Sequence, residues 1–431
     1  MVKVAFIGAG SVEFTRNVVT DLCGFPELQG QLDLALHDID AERLGHAELM
    51  AQRISDQTGA GASVSSHLDR LAAVEGADYV VNEIQVGGYA ATRTDFDIPA
   101  RYGVRQTIGD TLGIGGIFRG LRTIPVLLGI GNDMAKACPD AYLLNYSNPM
   151  AMLPWAVYAG TPFDRVFGLC HSVRDTHRFL AGLVGLDPDE IDFTTAGFNH
   201  QAFVLRFEHE GHDLYPKLRE VVDNDPELQR RVRVEIFRRF GYFPTESSEH
   251  SAEYVPWFMR HDEEVEHFRI FVGDYLHRSE ENIDEYEQTR RELESDAPLT
   301  LEPASELASE FIHAHQLGQE REIYVNVRND GKIANLPDEC CVEVPCPVDA
   351  DGPHPQQVGA LPPQLVALNR TFLNVVELTV RAVLDGDRRH VYQAALVDPN
   401  AGATLTTREI VAMCDDLFEA HGDLIPESLR A

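Results

Sequence analysis

The run from Val2 to Ser11, "VKVAFIGAGS", constrains this chain more than any other stretch: an apolar β-strand runs straight into a Gly8-Ala9-Gly10 turn. Phe14, Val18, Val19 and Leu22 follow at helical spacing. Such a strand, turn and helix let the backbone approach a pyrophosphate, which then meets the helix N-terminus. Gly8, Gly10 and Ser11 are therefore candidate cofactor-binding residues. The third glycine of the full dinucleotide fingerprint falls at position 13, which is Glu13, so the turn alone is a weak signal. A second strand, "LDLALHDID", carries Asp38 near its end. An acid there can bind both ribose hydroxyls of adenosine and repels a 2′-phosphate, which points to NAD rather than NADP. The competing reading makes the turn an ordinary strand-to-helix connection and Asp38 a helix cap.

Beyond Asp38 the spacing predicts a helix from about Ala41 to Thr58, then strands at "ASVSSH", "ADYVVNEI", "AYLLNYS" and "RVFGLC". Strands alternating with helices imply an α/β fold with a parallel, doubly wound sheet, an NAD-binding Rossmann domain over residues 1–170. After Cys170 the pattern changes. "FTTAGFNHQAFVLRFEHEGHDLYP" alternates with period two, a charge-rich helical region is expected from about Pro226 to Leu293, and strands around an Asn-Asp-Gly turn follow. Helices from about Pro363 complete an expected α+β unit over residues 171–431, closing over the strand tips of the first.

The 69 acidic residues against 36 Lys and Arg give a net charge of −33, which argues against nucleic acid or an anionic membrane as partner. Lysine occurs only at positions 3, 136, 217 and 332, so arginine carries nearly all the positive charge. A surface of this kind repels itself in dilute buffer, and adaptation to a salt-rich cytoplasm is the expectation; a coding bias toward Arg is the alternative. No leader-like segment precedes the first strand, so a cytoplasmic location is expected. The seven cysteines suit reduced thiols better than a disulfide framework.

Ligands of such sheets bind beyond the carboxyl ends of the strands. In "GLCHSV" the strand ends at Cys170 with His171 beside it, and "GFNH" offers His200. A thiolate and an imidazole are good ligands for a divalent transition metal, and two protein ligands leave coordination positions open to substrate oxygens. Taken singly, Cys170 also reads as a small core residue and His200 as a hydrogen-bonded core histidine. Cys340, Cys341 and Cys346 lack zinc-site spacing and read as a packed β segment.

"FIGAGS", "DID", "GGY", "DTLGIGGIFRGLRTIP", "NYSNPMAM", "GLCHSV", "AGFNHQAF", "GYFPTESSEHSAEYVPWF", "VRNDGKIANLP" and "AHGDLIP" occur in this order. Together they resemble the NAD- and manganese-dependent glycosidases of glycoside hydrolase family 4, from end to end. Cys170-His171-Ser172-Val173 resembles the α-galactosidase branch of that family. The resemblance implies a second domain like the C-terminal domain of lactate and malate dehydrogenases, and hydrolysis of terminal α-galactosides by redox elimination and addition rather than by paired carboxylates. It further implies Cys170 and His200 as Mn²⁺ ligands, Asn148 and Asp110 as sugar contacts, and Tyr254 as the base at C2. The proton donor of the phospho-α-glucosidases is an Asp after the metal cysteine; here that position is His171. A homo-oligomer is the family's expectation. The alternatives are an α-glucosidase or uronidase of the same family, a simple NAD-dependent dehydrogenase, and a non-catalytic NAD-binding protein.

Overall fold

The computed structural model describes residues 1–430 except Val12 and Asp296. Its framework is one mixed sheet. Six strands form the parallel part: β1 (Val2–Ile7), β2 (Leu32–His37), β3 (Ser63–His67), β4 (Tyr79–Asn82), β5 (Tyr142–Asn145) and β6 (Val166–Leu169). They lie in the order β3-β2-β1-β4-β5-β6, every neighbouring pair parallel. This is the doubly wound order in which the sheet reverses direction between β1 and β4, and the crevice there is the dinucleotide position. β4 and β5 are buried along their whole length, as strands covered by helices on both faces must be. The helix after β2 runs Ala41–Thr58, as its spacing predicts, started by Asp40 and stopped by Gly59 at φ 70°.

Past β6 the sheet does not end. β7 (Asp192–Phe198), β8 (Gln201–His209), β9 (His212–Asp213), β10 (Arg321–Arg328) and β11 (Cys341–Asp349) extend it antiparallel in the order β6-β10-β11-β7-β8-β9. The expected second unit therefore continues the first sheet through Val325 opposite Leu169 and Asn326 opposite Gly168. Cys341 and Cys346 are buried on β11.

Two expectations change. The region Pro226 to Leu293 is four separate helices, Val232–Phe240, Ser248–Glu253, Asp262–His267 and Asp274–Glu294, with a short 3₁₀ turn before them. Gly241 at φ 85° ends the first, and Pro244 then bridges to Phe203 on β8, so the chain is held in an extended bend rather than a continuous helix. The Asn-Asp-Gly sequence does not join β10 to β11 tightly. Asp330 and Gly331 are left-handed, but the connection runs on to residue 340, held by Asn329, which donates to the carbonyls of Ile333, Leu336 and Pro337 at 3.0–3.1 Å. The helix Gly113–Ala137, long and apolar enough by composition to cross a membrane, is mostly buried and packs against the helices Leu153–Gly160 and Pro363–Asp385.

Candidate active site

The first half of the site is the loop after β1. Gly8 has φ 88°, and a Cβ on it would stand 3.0 Å from the Ile84 nitrogen; a Cβ on Gly10 would stand 2.7 Å from Asp38 Oδ2. Only glycine leaves this cradle open. Ser11 closes the turn by donating its N–H to Gly8 O at 2.9 Å. Asp38 is fixed at the tip of β2 by the N–H groups of Gly10 and Asp40, each at 2.9 Å. Arg43 donates to Gly10 O at 2.9 Å and lies over the Tyr286 ring at 4.0 Å, so the helix Asp274–Glu294 crosses close to this end of the crevice. An open glycine cradle beside a half-buried acid fits a dinucleotide pyrophosphate and its ribose.

The second half lies beyond β5 and β6. Cys170 Sγ is 3.2 Å from His200 Nε2, which is 3.5 Å from Glu246 Oε2. Thiol, imidazole and carboxylate offer ligand atoms within 4.8 Å of one another. His200 has φ 64° and Glu246 φ 70°. Left-handed backbone at a side-chain-bearing residue costs about 1–2 kcal/mol, so two of the three donors are held at some expense. Burial opposes charge on His200, yet the neighbouring Cys170 and Glu246 raise it to about 10. A sulfur, an imidazole nitrogen and a carboxylate oxygen converging in this way form a donor set that fits a divalent cation of borderline softness.

Around this centre the polar groups are connected. His200 Nδ1 contacts Thr111 Oγ1 at 3.1 Å and Tyr254 OH at 3.3 Å. Thr111 donates to Asp110 Oδ1 at 2.8 Å, and Asp110 Oδ2 accepts from Asn148 Nδ2 at 2.8 Å. Tyr254 OH also meets His250 Nδ1 at 2.8 Å. Burial first, then the His200 charge, push His250 down to about 3, so it is neutral. Glu253 turns away and accepts from the N–H groups of Thr107, Ile108 and Gly109, which hold the loop that carries Asp110.

The structure thus brings Cys170, His200, Tyr254, Asp110 and Asn148 together. His171 takes part in a different contact: its Nε2 is 2.9 Å from Glu306 Oε2 and its ring stacks on Tyr146. Sequence reasoning missed Glu246 and His250. For His250 the signal is its four-residue spacing from Tyr254, on the helix Ser248–Glu253 that Ser247 caps; Glu246 lies before that cap with φ 70°, where no local pattern points to it.

The profile described as Family 4 glycosyl hydrolase matches residues 3–186, and that of the Family 4 glycosyl hydrolase C-terminal domain matches residues 195–401. An α-galactosidase of Bacillus subtilis (strain 168) is 43% identical over 99% of this chain and 100% of its own length. One of Rhizobium meliloti (strain 1021) is 33% identical over 100% of this chain and 90% of its own length. A 6-phospho-α-glucosidase from gut microorganisms, solved in complex with NAD and Mn²⁺, superposes with a TM-score of 0.83 at 21% identity, covering 99% of each chain. A lactate dehydrogenase from Eimeria maxima superposes with a TM-score of 0.55 at 16% identity over 89% of this chain and 95% of its own, a likeness of fold. With both profiles matched across most of its length and a full-length relative at 43% identity, the chain belongs to glycosyl hydrolase family 4.

Proposed function

We propose that this protein hydrolyses terminal α-galactosides by a redox elimination and addition that uses NAD and Mn²⁺. The observation that carries the reading is the convergence of Cys170, His200 and Glu246 one hydrogen bond from the Tyr254 hydroxyl. The full-length α-galactosidase relatives and the NAD- and Mn²⁺-bound relative of the same fold support it.

NAD⁺, when bound, would supply reversible hydride transfer at C3, and a divalent metal would supply a Lewis acid for the sugar's hydroxyl oxygens. Gly8, Gly10 and Ser11 give the pyrophosphate its cradle, and Asp38 takes the adenosine ribose. Cys170, His200 and Glu246 would hold the metal. Asn148 and Asp110, bonded to each other, contact the sugar. Oxidation at C3 acidifies the C2 proton, and Tyr254 removes it. We assign donation of a proton to the departing C1 oxygen to His171. Its partner Glu306 is a carboxylate that burial pushes up but the His171, Tyr146 and Asn17 contacts bring below its usual range. Water then adds at C1 and gives its proton to His171, Tyr254 returns a proton to C2, and once the C3 oxidation is reversed both residues stand as they began, so the net reaction is hydrolysis.

The same reading has the protein acting in a salt-rich cytoplasm on a small glycoside, as a homo-oligomer, without nucleic acid or membrane; the charge of −33 supports the exclusion of polyanions. The test is turnover of nitrophenyl α-galactoside, α-glucoside and α-galacturonide with NAD⁺ and Mn²⁺, each omitted in turn. The α-galactoside should be cleaved fastest and only with both additions. Stoichiometric release of NADH would make the protein a dehydrogenase, and a faster α-glucoside or α-galacturonide would move it to a sister specificity.

A further inference from the structure

Between the two protein ligands Cys170 and His200 the sheet runs through two intervening strands. Cys170 follows β6, His200 stands at the tip of the β7–β8 hairpin, and β10 and β11 lie between. In that gap sit three fully buried polar side chains that the chemistry above does not use: Asn326 on β10, Glu343 on β11 and Asn199 at the hairpin tip. Asn326 is paired opposite Glu343 on one side and opposite Gly168, two residues before Cys170, on the other. Glu343 is paired opposite Gly197 of the hairpin.

One oxygen joins them. Glu343 Oε1 accepts from Asn199 Nδ2 at 3.0 Å and from Asn326 Nδ2 at 3.1 Å, and Asn326 Nδ2 also lies 3.4 Å from Gly168 O. The chain is thus fastened from the strand that delivers Cys170 to the residue that precedes His200. His200 needs such a fastening, because its left-handed backbone persists only where its surroundings dictate it. The cluster is not there for packing. Glu343 Oε2 and both asparagine Oδ1 atoms are buried without a hydrogen-bond partner, and burial raises the Glu343 carboxyl to about 7, so an apolar side chain would fill the space at lower cost.

We infer that Glu343 is a positioning residue for the metal centre: its Oε1, shared by Asn199 and Asn326, sets the separation of Cys170 and His200 at which a divalent cation is held. The inference rests on the metal reading proposed above. Groups that bond a ligand directly are worth about 10–100-fold in metal affinity; Glu343 acts one step further out, through Asn199 and Asn326, so its loss should cost toward or below the lower end of that range.

The test is Mn²⁺ titration of the full-length protein by electron paramagnetic resonance, with NAD⁺ affinity measured in parallel. Glu343→Leu should weaken Mn²⁺ severalfold, up to about 10-fold, and leave NAD⁺ affinity unchanged, because the glycine cradle is remote from it. Glu343→Gln keeps an acceptor oxygen and should restore Mn²⁺ binding. Should the leucine variant fail to fold, Asn199→Ala removes the hairpin-side bond alone and should weaken Mn²⁺ in the same sense. In the double variant the losses should fall short of additive, since the Asn199–Glu343 bond is removed by either change alone. Wild-type Mn²⁺ affinity in both Glu343→Leu and Asn199→Ala overturns the clamp, and so does a glutamine variant as weak as the leucine one. Cys170→Ser separates the two ideas. If it loses Mn²⁺ while the clamp variants keep it, the metal centre stands and the clamp falls; if it binds Mn²⁺ like wild type, the metal centre falls and takes the clamp with it.

Discussion

Tyr254 is 1% exposed, and its phenol lies far above its ordinary value because burial, and then the carboxylates of Asp110, Glu253 and Glu246, disfavour the phenolate. A base in that state works only if positive charge is brought beside it, and the neighbouring His200 and Glu246 are the groups placed to hold such charge. Tyr254→Phe should therefore lower kcat by about 10²–10⁴-fold and leave NAD⁺ affinity near wild type. Product sugar formed in D₂O by the wild type should carry deuterium at C2, which direct displacement at C1 never introduces. Wild-type hydrolysis by Tyr254→Phe would end its assignment as base. A second residue sets a pH dependence. Asp398 caps the helix Pro399–Thr404 through Ala401 N at 2.8 Å, and burial raises its carboxyl from 3.8 to about 7. Between those values the native state binds more protons than the unfolded chain. Its contribution is therefore full below the lower value, falls by up to about 1.4 kcal/mol per pH unit, and is gone above the higher. Asp398→Asn keeps a good cap without the charge, so denaturant titrations should find its advantage over wild type larger at pH 8 than at pH 5.5. A gap that stays constant or narrows would reject this account.

At the scale of elements, the β7–β8 hairpin is the part on which the site depends. Phe198 pairs with Gln201, so Asn199 and His200 form its whole turn, and the left-handed second position, usually glycine, is given to the His200 imidazole that faces Cys170. Gly197 makes this possible. It has φ 152°, and a Cβ there would stand 2.6 Å from Ala202 Cα and 2.7 Å from Gln201 O, both backbone atoms that have nowhere to go. Gly197→Ala should cost about 1–3 kcal/mol of stability by overpacking and should weaken Mn²⁺ binding more than NAD⁺ binding, as read by denaturant titration and by the two affinities. Equal weakening of both ligands would mean that the damage spreads beyond the hairpin.

For the whole molecule the governing quantity is charge. With −33 spread over one chain, the folded state repels itself, and added salt relieves that repulsion. The melting temperature should rise as KCl goes from dilute buffer to about 1 M, where the Debye length falls to about 3 Å. A flat or falling melting temperature would reject salt adaptation. Many arginines are already spent locally, as in Arg122 with Asp95, a pair buried together with His421 and joining the helices Gly88–Arg101, Gly113–Ala137 and Thr407–His421. Such buried pairs are little screened, so the salt response should come from the exposed acids.

The sequence by itself determined what is local. Strand β1, the open glycines at 8 and 10, Asp38 at the tip of β2 and the helix Ala41–Thr58 follow from short-range periodicity and turn chemistry, and the ordered motifs pointed to the family. Cys170, His200 and Tyr254 were legible for the same reason, since each sits in a short motif. What tertiary structure decided is what depends on distant partners. The pairing of β10 with β6 joins residues far apart in sequence, so no local pattern could reveal that one sheet crosses both halves. Glu246 reaches His200 through a left-handed turn that no propensity favours there, and Glu343, an acid in the middle of an apolar strand, acquires partners only once Asn199 and Asn326 stand beside it. Side-chain chemistry is written residue by residue, whereas the separation between two ligands is set by the register of the strands that carry them.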